Sequence, residues 1–210
     1  MSDTQQLLSF LEARILGVLI EKEKTTPDSY PLTLNSLTLG CNQKTAREPV
    51  IIVPDSEVQM ALEELRGRVL VLETYGASGR VLRYAQNFGK VYGVPPASVA
   101  LLAMLVLRGA QTVSELRANC ERLYRFDDSS SVEAYLQELA ERRSGALVIR
   151  LPRQAGSREH RWAHLLCGAV TPPSDELSRE RGSVRRELEE RVTRLEVQVA
   201  ELQAALKDLL

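Results

Sequence analysis

The chain has 210 residues, 44% hydrophobic and 26% charged, with a formal net charge of −1. That length can bury one or two cores, and near-neutrality excludes a protein that holds nucleic acid by overall basicity. Three cysteines, Cys41, Cys120 and Cys167, include no CxxC pair and cannot make a complete disulfide framework, which points to a reducing compartment. The N-terminal segment lacks a basic run before an apolar stretch, and no stretch nears about 18 uninterrupted apolar residues. A cytoplasmic protein without signal peptide or membrane span is expected.

Ser9-Phe10-Leu11-Glu12 has the form of a capping box, and Leu11, Ile15, Val18 and Leu19 continue as an apolar stripe, predicting a helix to about Lys24. Thr25 to Pro31 holds two prolines and reads as a loop. Leu34, Leu37 and Cys41, at i, i+3 and i+7, predict a short helix after Thr33. Asn42 to Val53 reads as a polar loop ending in a small edge strand. Val58, Leu62 and Leu65 then share one helical face, with Asp55 as N-cap and Gly67 as the stop. Val69 to Thr74, a turn at Tyr75 to Gly79, and Val81 to Tyr84 predict a hairpin. Three helices followed by a hairpin make a winged helix over residues 1–90.

The order recurs. Pro95-Pro96 opens a helix whose buried face is Val99, Leu102, Leu105 and Val106, stopped by Gly109. Thr112 to Glu115 is a capping box, and Val113, Leu116 and Cys120 repeat the spacing of Leu34, Leu37 and Cys41. A further box at Ser130 to Glu133 opens a helix with Val132, Leu136 and Leu139, which repeat Val58, Leu62 and Leu65. Ala146 to Leu151 and His160 to Leu166 predict a second hairpin. Near-equal offsets imply an internal duplication, with a second winged helix over residues 91–170.

Ala169 to Asp175 is proline-rich, giving a linker at 171–175. In residues 176–210, Leu188, Leu195, Leu202 and Leu209 recur every seven residues, with Val192, Val199 and Leu206 between them. This a/d pattern predicts a coiled-coil-type helix that pairs two chains into a homodimer. The alternative is a tail folded back on its own domains. The expected class is therefore α+β, mainly α with small β wings.

The runs Glu12-Ala13-Arg14-Ile15-Leu16-Gly17 and Glu21-Lys22-Glu23-Lys24-Thr25-Thr26-Pro27, with Tyr30-Pro31-Leu32, Asn35, Cys41-Asn42-Gln43-Lys44, Arg47 and Pro49-Val50, resemble the bacterial YceH family. Leu151-Pro152-Arg153-Gln154 and Arg161-Trp162-Ala163-His164-Leu165-Leu166 extend the likeness over essentially the whole chain. The resemblance implies a tandem winged-helix protein with a helical tail. It carries over no catalytic residue, and it singles out the polar loop Asn42-Gln43-Lys44.

DNA-binding winged helices lay the third helix in the major groove and the wing along the backbone. Here Asp55 to Arg66 carries four carboxylates against one guanidinium, and Ser129 to Arg143 three against two. Such helices repel phosphate, so contact with duplex DNA is expected mainly through Lys44, Arg47, Arg80, Arg83, Arg150, Arg153, Arg158 and Arg161. The rival expectation is a protein-interaction scaffold that docks partners on the acidic third helices. His160, Trp162, His164 and Cys167 lack a fourth ligand and a metal-site geometry, so they read as packing and surface residues, with no metal and no cofactor. No nucleophile motif or phosphate loop is present, and no enzyme is expected.

Overall fold

Ser9 starts the first helix as its spacing predicts. Its hydroxyl accepts from the Glu12 amide at 3.2 Å, and the Glu12 carboxylate accepts from the Ser9 amide at 2.6 Å. The computed structural model describes residues 7–170, apart from 76–78, 80, 154–156 and 158. The chain divides into two units, residues 1–170 and 171–210. The expected linker and heptad helix, with Leu188, Val192, Leu195, Val199, Leu202, Leu206 and Leu209, lie outside the described residues.

The first unit is a mixed α+β fold. α1 (Phe10–Thr25), α2 (Leu34–Cys41) and α3 (Asp55–Gly67) precede an antiparallel hairpin of β1 (Val71–Tyr75) and β2 (Leu82–Gln86). After α4 (Phe88–Tyr92), the helices α5 (Pro96–Arg108), α6 (Val113–Cys120) and α7 (Ser129–Ala140) precede a second antiparallel hairpin of β3 (Val148–Arg150) and β4 (Trp162–His164). Val71 stands opposite Gln86 in one ladder, and Val148 opposite His164 in the other.

α1 and α5 sit at the centre. From Glu12 to Ile20 and from Ala97 to Leu107 every residue is buried, so both helices are covered all round rather than along one stripe. They lie against each other, and a Cβ at Gly17 would stand 3.0 Å from Leu107 Cγ. The core residues of the two halves form one continuous cluster. The expected apolar faces of both helices are therefore correct but too narrow.

Each half repeats a detail that periodicity alone does not reveal. Leu32, just before the Thr33 cap of α2, exchanges two backbone hydrogen bonds with Tyr84 of β2 (3.1 and 2.8 Å). Gln111, just before the Thr112 cap of α6, does the same with Trp162 of β4 (3.0 and 2.7 Å). A one-residue third strand thus lines each hairpin.

Several local expectations are corrected. No strand forms at Val50 to Val53, because the Asn42 amide takes both backbone groups of Val53, donating to its carbonyl at 2.8 Å and accepting from its amide at 2.9 Å. Asp55 is not the N-cap of α3. Pro54 holds that position without a side-chain bond, and Asp55 is the first helical residue, where its charge still complements the helix dipole. Asp128, not Ser130, caps α7, accepting from the Ser131 amide at 2.7 Å. The first hairpin begins at Val71, because Val69 takes a left-handed backbone (φ 57°) that no strand residue adopts. α4 was not expected, although Gly93, in the left-handed conformation after it, is an ordinary helix stop.

Asn42→Ala removes both bonds to Val53 and leaves that backbone amide and carbonyl partly desolvated. The expected loss is about 2 kcal/mol in unfolding free energy by urea titration, from two hydrogen bonds at roughly 1 kcal/mol each. An unchanged midpoint would show that the clamp contributes nothing.

Candidate nucleic-acid interface

A basic side chain can meet phosphate only if its cationic end faces solvent and is not already paired. Three of the expected residues are committed elsewhere. Arg47 is 4% exposed. Its Nε donates to the Gly40 carbonyl at 3.1 Å, and its two terminal nitrogens straddle the Glu21 carboxylate at 3.2 and 2.6 Å. Burial alone would raise the Glu21 carboxyl, but the bonds and charge of Arg47 outweigh it and hold the group below its ordinary value. This pair fixes the loop after α2 to α1.

Arg83, on β2, and Arg161, just before β4, are half-buried counterparts of each other. Arg83 Nη1 donates to the Pro31 carbonyl at 2.7 Å. Arg161 Nη1 donates to the Ala110 carbonyl at 2.8 Å, and its two terminal nitrogens grip Glu115 at 2.7 and 2.9 Å. Pro31 and Ala110 each precede the residue that bridges to the hairpin. Both arginines therefore fasten a hairpin to the start of its second helix. The signal in the sequence is that each arginine stands one residue before the bridging aromatic, Tyr84 or Trp162.

Lys44, Arg150 and Arg153 are exposed and make no hydrogen bond or ion pair to another described residue. Arg150 lies on β3, and Arg153 follows it toward the hairpin turn. Arg80 and Arg158 lie outside the described residues. Of the expected residues that are described, the structure thus leaves one lysine before α3 and two arginines on the second hairpin facing solvent.

The third helices carry the opposite sign. Asp55, Glu57, Glu63 and Glu64 are all exposed on α3, while Arg66 turns to Glu73 of β1 at 3.1 Å. Met60 stands 67% exposed among these carboxylates. On α7, Glu133 and Glu138 are exposed, and Asp127 and Asp128 lie just before them. The Ser131 amide and the hydroxyls of Ser130 and Ser131 hold the Asp128 carboxyl down at about 2.

The histidine set does not converge on a metal. His160 Nδ1 lies 3.0 Å from the Leu151 carbonyl oxygen, Trp162 is buried in the core, and the Cys167 thiol reaches the Ser9 carbonyl at 3.7 Å. Among the described residues no cluster of three His, Cys, Asp or Glu side chains is arranged to hold a metal ion. Burial lowers His164 to about 4, and its Nδ1 has no partner among the described residues. Cys41 and Cys120 end α2 and α6 at matching positions, and burial pushes both thiols up to about 12. They are packing residues, not nucleophiles. Among the described residues no helix is long and apolar enough to cross a membrane.

These features define a mixed α+β protein whose helices support two small antiparallel hairpins. The family model described as "Protein of unknown function, DUF480" matches residues 8–157. A UPF0502 protein of Dechloromonas aromatica (strain RCB) is 50% identical over 209 residues, covering 98% of this chain and 97% of its own length. A UPF0502 protein of Leptothrix cholodnii is 59% identical over 163 residues, 78% of this chain and 72% of its own. One from Acidovorax sp. (strain JS42) is 52% identical over 205 residues, 94% and 90% respectively. The chain belongs to this bacterial family.

Arg47→Ala strands Glu21 in a largely buried site and is expected to cost about 3 kcal/mol, measured by chemical denaturation. His164 gives a pH signature. Its folded value near 4 lies below the ordinary 6.5, so its contribution is complete above 6.5 and is lost progressively as pH falls toward 4. His164→Gln should flatten the fall in thermal midpoint across that window, and an unchanged slope would place the acid sensitivity elsewhere.

Proposed function

We propose that the chain is a non-enzymatic cytoplasmic regulator of the YceH type, built of two winged helices, residues 1–90 and 91–170, and paired through the heptads of residues 176–210. It contacts duplex DNA by the phosphate backbone, chiefly through the second hairpin. The observation that carries this reading is that Arg150 and Arg153 stand exposed on that hairpin with no carboxylate of another described residue bonded to them. The twofold recurrence of three helices and a hairpin, each with its bridging residue before the second helix, supports the winged-helix assignment. Lys44 adds a cation before α3. The acidic faces of α3 and α7 disfavour the mode in which a third helix fills the major groove, and contacts to the phosphate backbone position the protein without reading bases.

A second reading has its own support. Met60, exposed among four carboxylates on α3, suits a protein partner with an apolar socket rimmed by cations. In that case the chain is a scaffold, and the hairpin arginines are ordinary solvated side chains.

Fluorescence anisotropy with a labelled duplex tests the first reading. Binding at tens of micromolar in low salt, weakening steeply as salt rises, is expected. Arg150→Ala with Arg153→Ala should reduce the slope of log K against log salt by about 2, at roughly 0.9 per phosphate contact. No binding, or a slope indifferent to these substitutions, would sink it. Partners captured from nuclease-treated lysate and lost in Met60→Glu would favour the scaffold.

A further inference from the structure

A cavity of about 470 Å³ opens where the two halves meet, between α1, the first hairpin, α4 and α5. That volume lies within the range of pockets that enclose small organic molecules. Its apolar wall comes from Ile20 of α1, Leu72 of β1, and Val99 and Ala100 of α5, with Val94 and Leu123 completing it. Leu72 is 43% exposed and faces this space, although its neighbour Val71 is fully buried. Gly89 keeps the α4 wall close, since a Cβ there would stand 3.1 Å from Val99 Cγ2.

The polar side chains of the lining divide into two kinds. Glu23, Gln86 and Asn87 are already bonded within the protein. Gln86 Nε2 donates to Glu23 at 3.0 Å, its carbonyl oxygen accepts from the Phe88 amide at 2.8 Å, and Asn87 Nδ2 donates to the Val69 carbonyl at 2.9 Å. Lys24 and Lys90 also line the cavity, are exposed, and make no ion pair or hydrogen bond with another described residue. Among the lining side chains, the charged groups with no bonded partner among the described residues are therefore both ammonium ions, on the two helices that flank an apolar floor. They outnumber the single carboxylate of Glu23, one oxygen of which already accepts from Gln86.

We propose that this cavity binds a small amphipathic organic anion. Its apolar body would lie against Leu72, Val99 and Ala100, and its carboxylate or sulfonate would meet Lys24 and Lys90. The ligand would touch both halves of the fold at once. The site does not depend on whether the hairpins meet DNA.

The full chain is titrated with 8-anilinonaphthalene-1-sulfonate, whose fluorescence reports entry into an apolar site. One saturable site per chain is expected, displaced by octanoate and not by octylammonium. Lys24→Gln with Lys90→Gln should weaken it at least tenfold, with an unchanged circular dichroism spectrum and thermal midpoint. Leu72→Trp, which fills the cavity from an exposed position, should abolish it while the chain stays folded. The proposal is overturned by the absence of saturable binding, by equal affinity in the lysine variant, or by displacement with octylammonium as effective as with octanoate.

Discussion

The packing of α1 on α5 constrains everything else in the first unit. Each helix is buried on all sides for about three turns, so neither half can complete its core without the other. Glycine makes the approach feasible on both flanks of α1. Gly17 admits Leu107 on one side, and Gly40 of α2 lies so near Val18 that a Cβ there would fall 2.6 Å from Val18 Cγ1. The loop after α2 then crosses both helices. Arg14 donates to the Pro49 carbonyl at 2.7 Å, and the Glu48 amide donates to the Leu107 carbonyl at 2.8 Å. Two repeated halves therefore share one interior, which is why residues 1–170 form a single compact unit.

Charge along a chain is not charge on a surface. Arg47, Arg83 and Arg161 look, in sequence, like members of a cationic set, yet each donates to backbone carbonyls inside the fold. Two of them also close on a carboxylate from another element. A guanidinium carries five donors in a fixed fork, so it is well suited to tying a loop or hairpin to a helix end. Of the described members of that set only Lys44, Arg150 and Arg153 face solvent, while carboxylates line α3 and α7.

The elements were largely legible because local signals agreed with tertiary ones. Ser9 and Thr112 cap where their boxes stand, and the stripes ending in Cys41 and Cys120 are the buried faces of α2 and α6. Two of the misses share a cause. Asn42 and Asp128 act through side-chain bonds to backbone groups, which compete with the strand and the cap that propensity alone suggests. The roles of Arg47 and Arg161 depend on Glu21 and Glu115, distant in sequence and adjacent only once the helices pack. The cavity was invisible for the same reason, since its wall is assembled from residues spread between Ile20 and Leu123.

The backbone amide of Leu8 donates to the carbonyl of Leu166 at 2.8 Å, just beyond β4. The beginning of the unit is thus pinned by a residue near its end. During synthesis, the start of α1 must wait for the last hairpin to leave the ribosome before this contact can close. A nascent chain halted after the first hairpin would also lack α5 and would present the broad apolar sides of α1 to the cell. Chaperone engagement is therefore expected to fall off only late in translation, and the two halves, though repeated in pattern, mature as one.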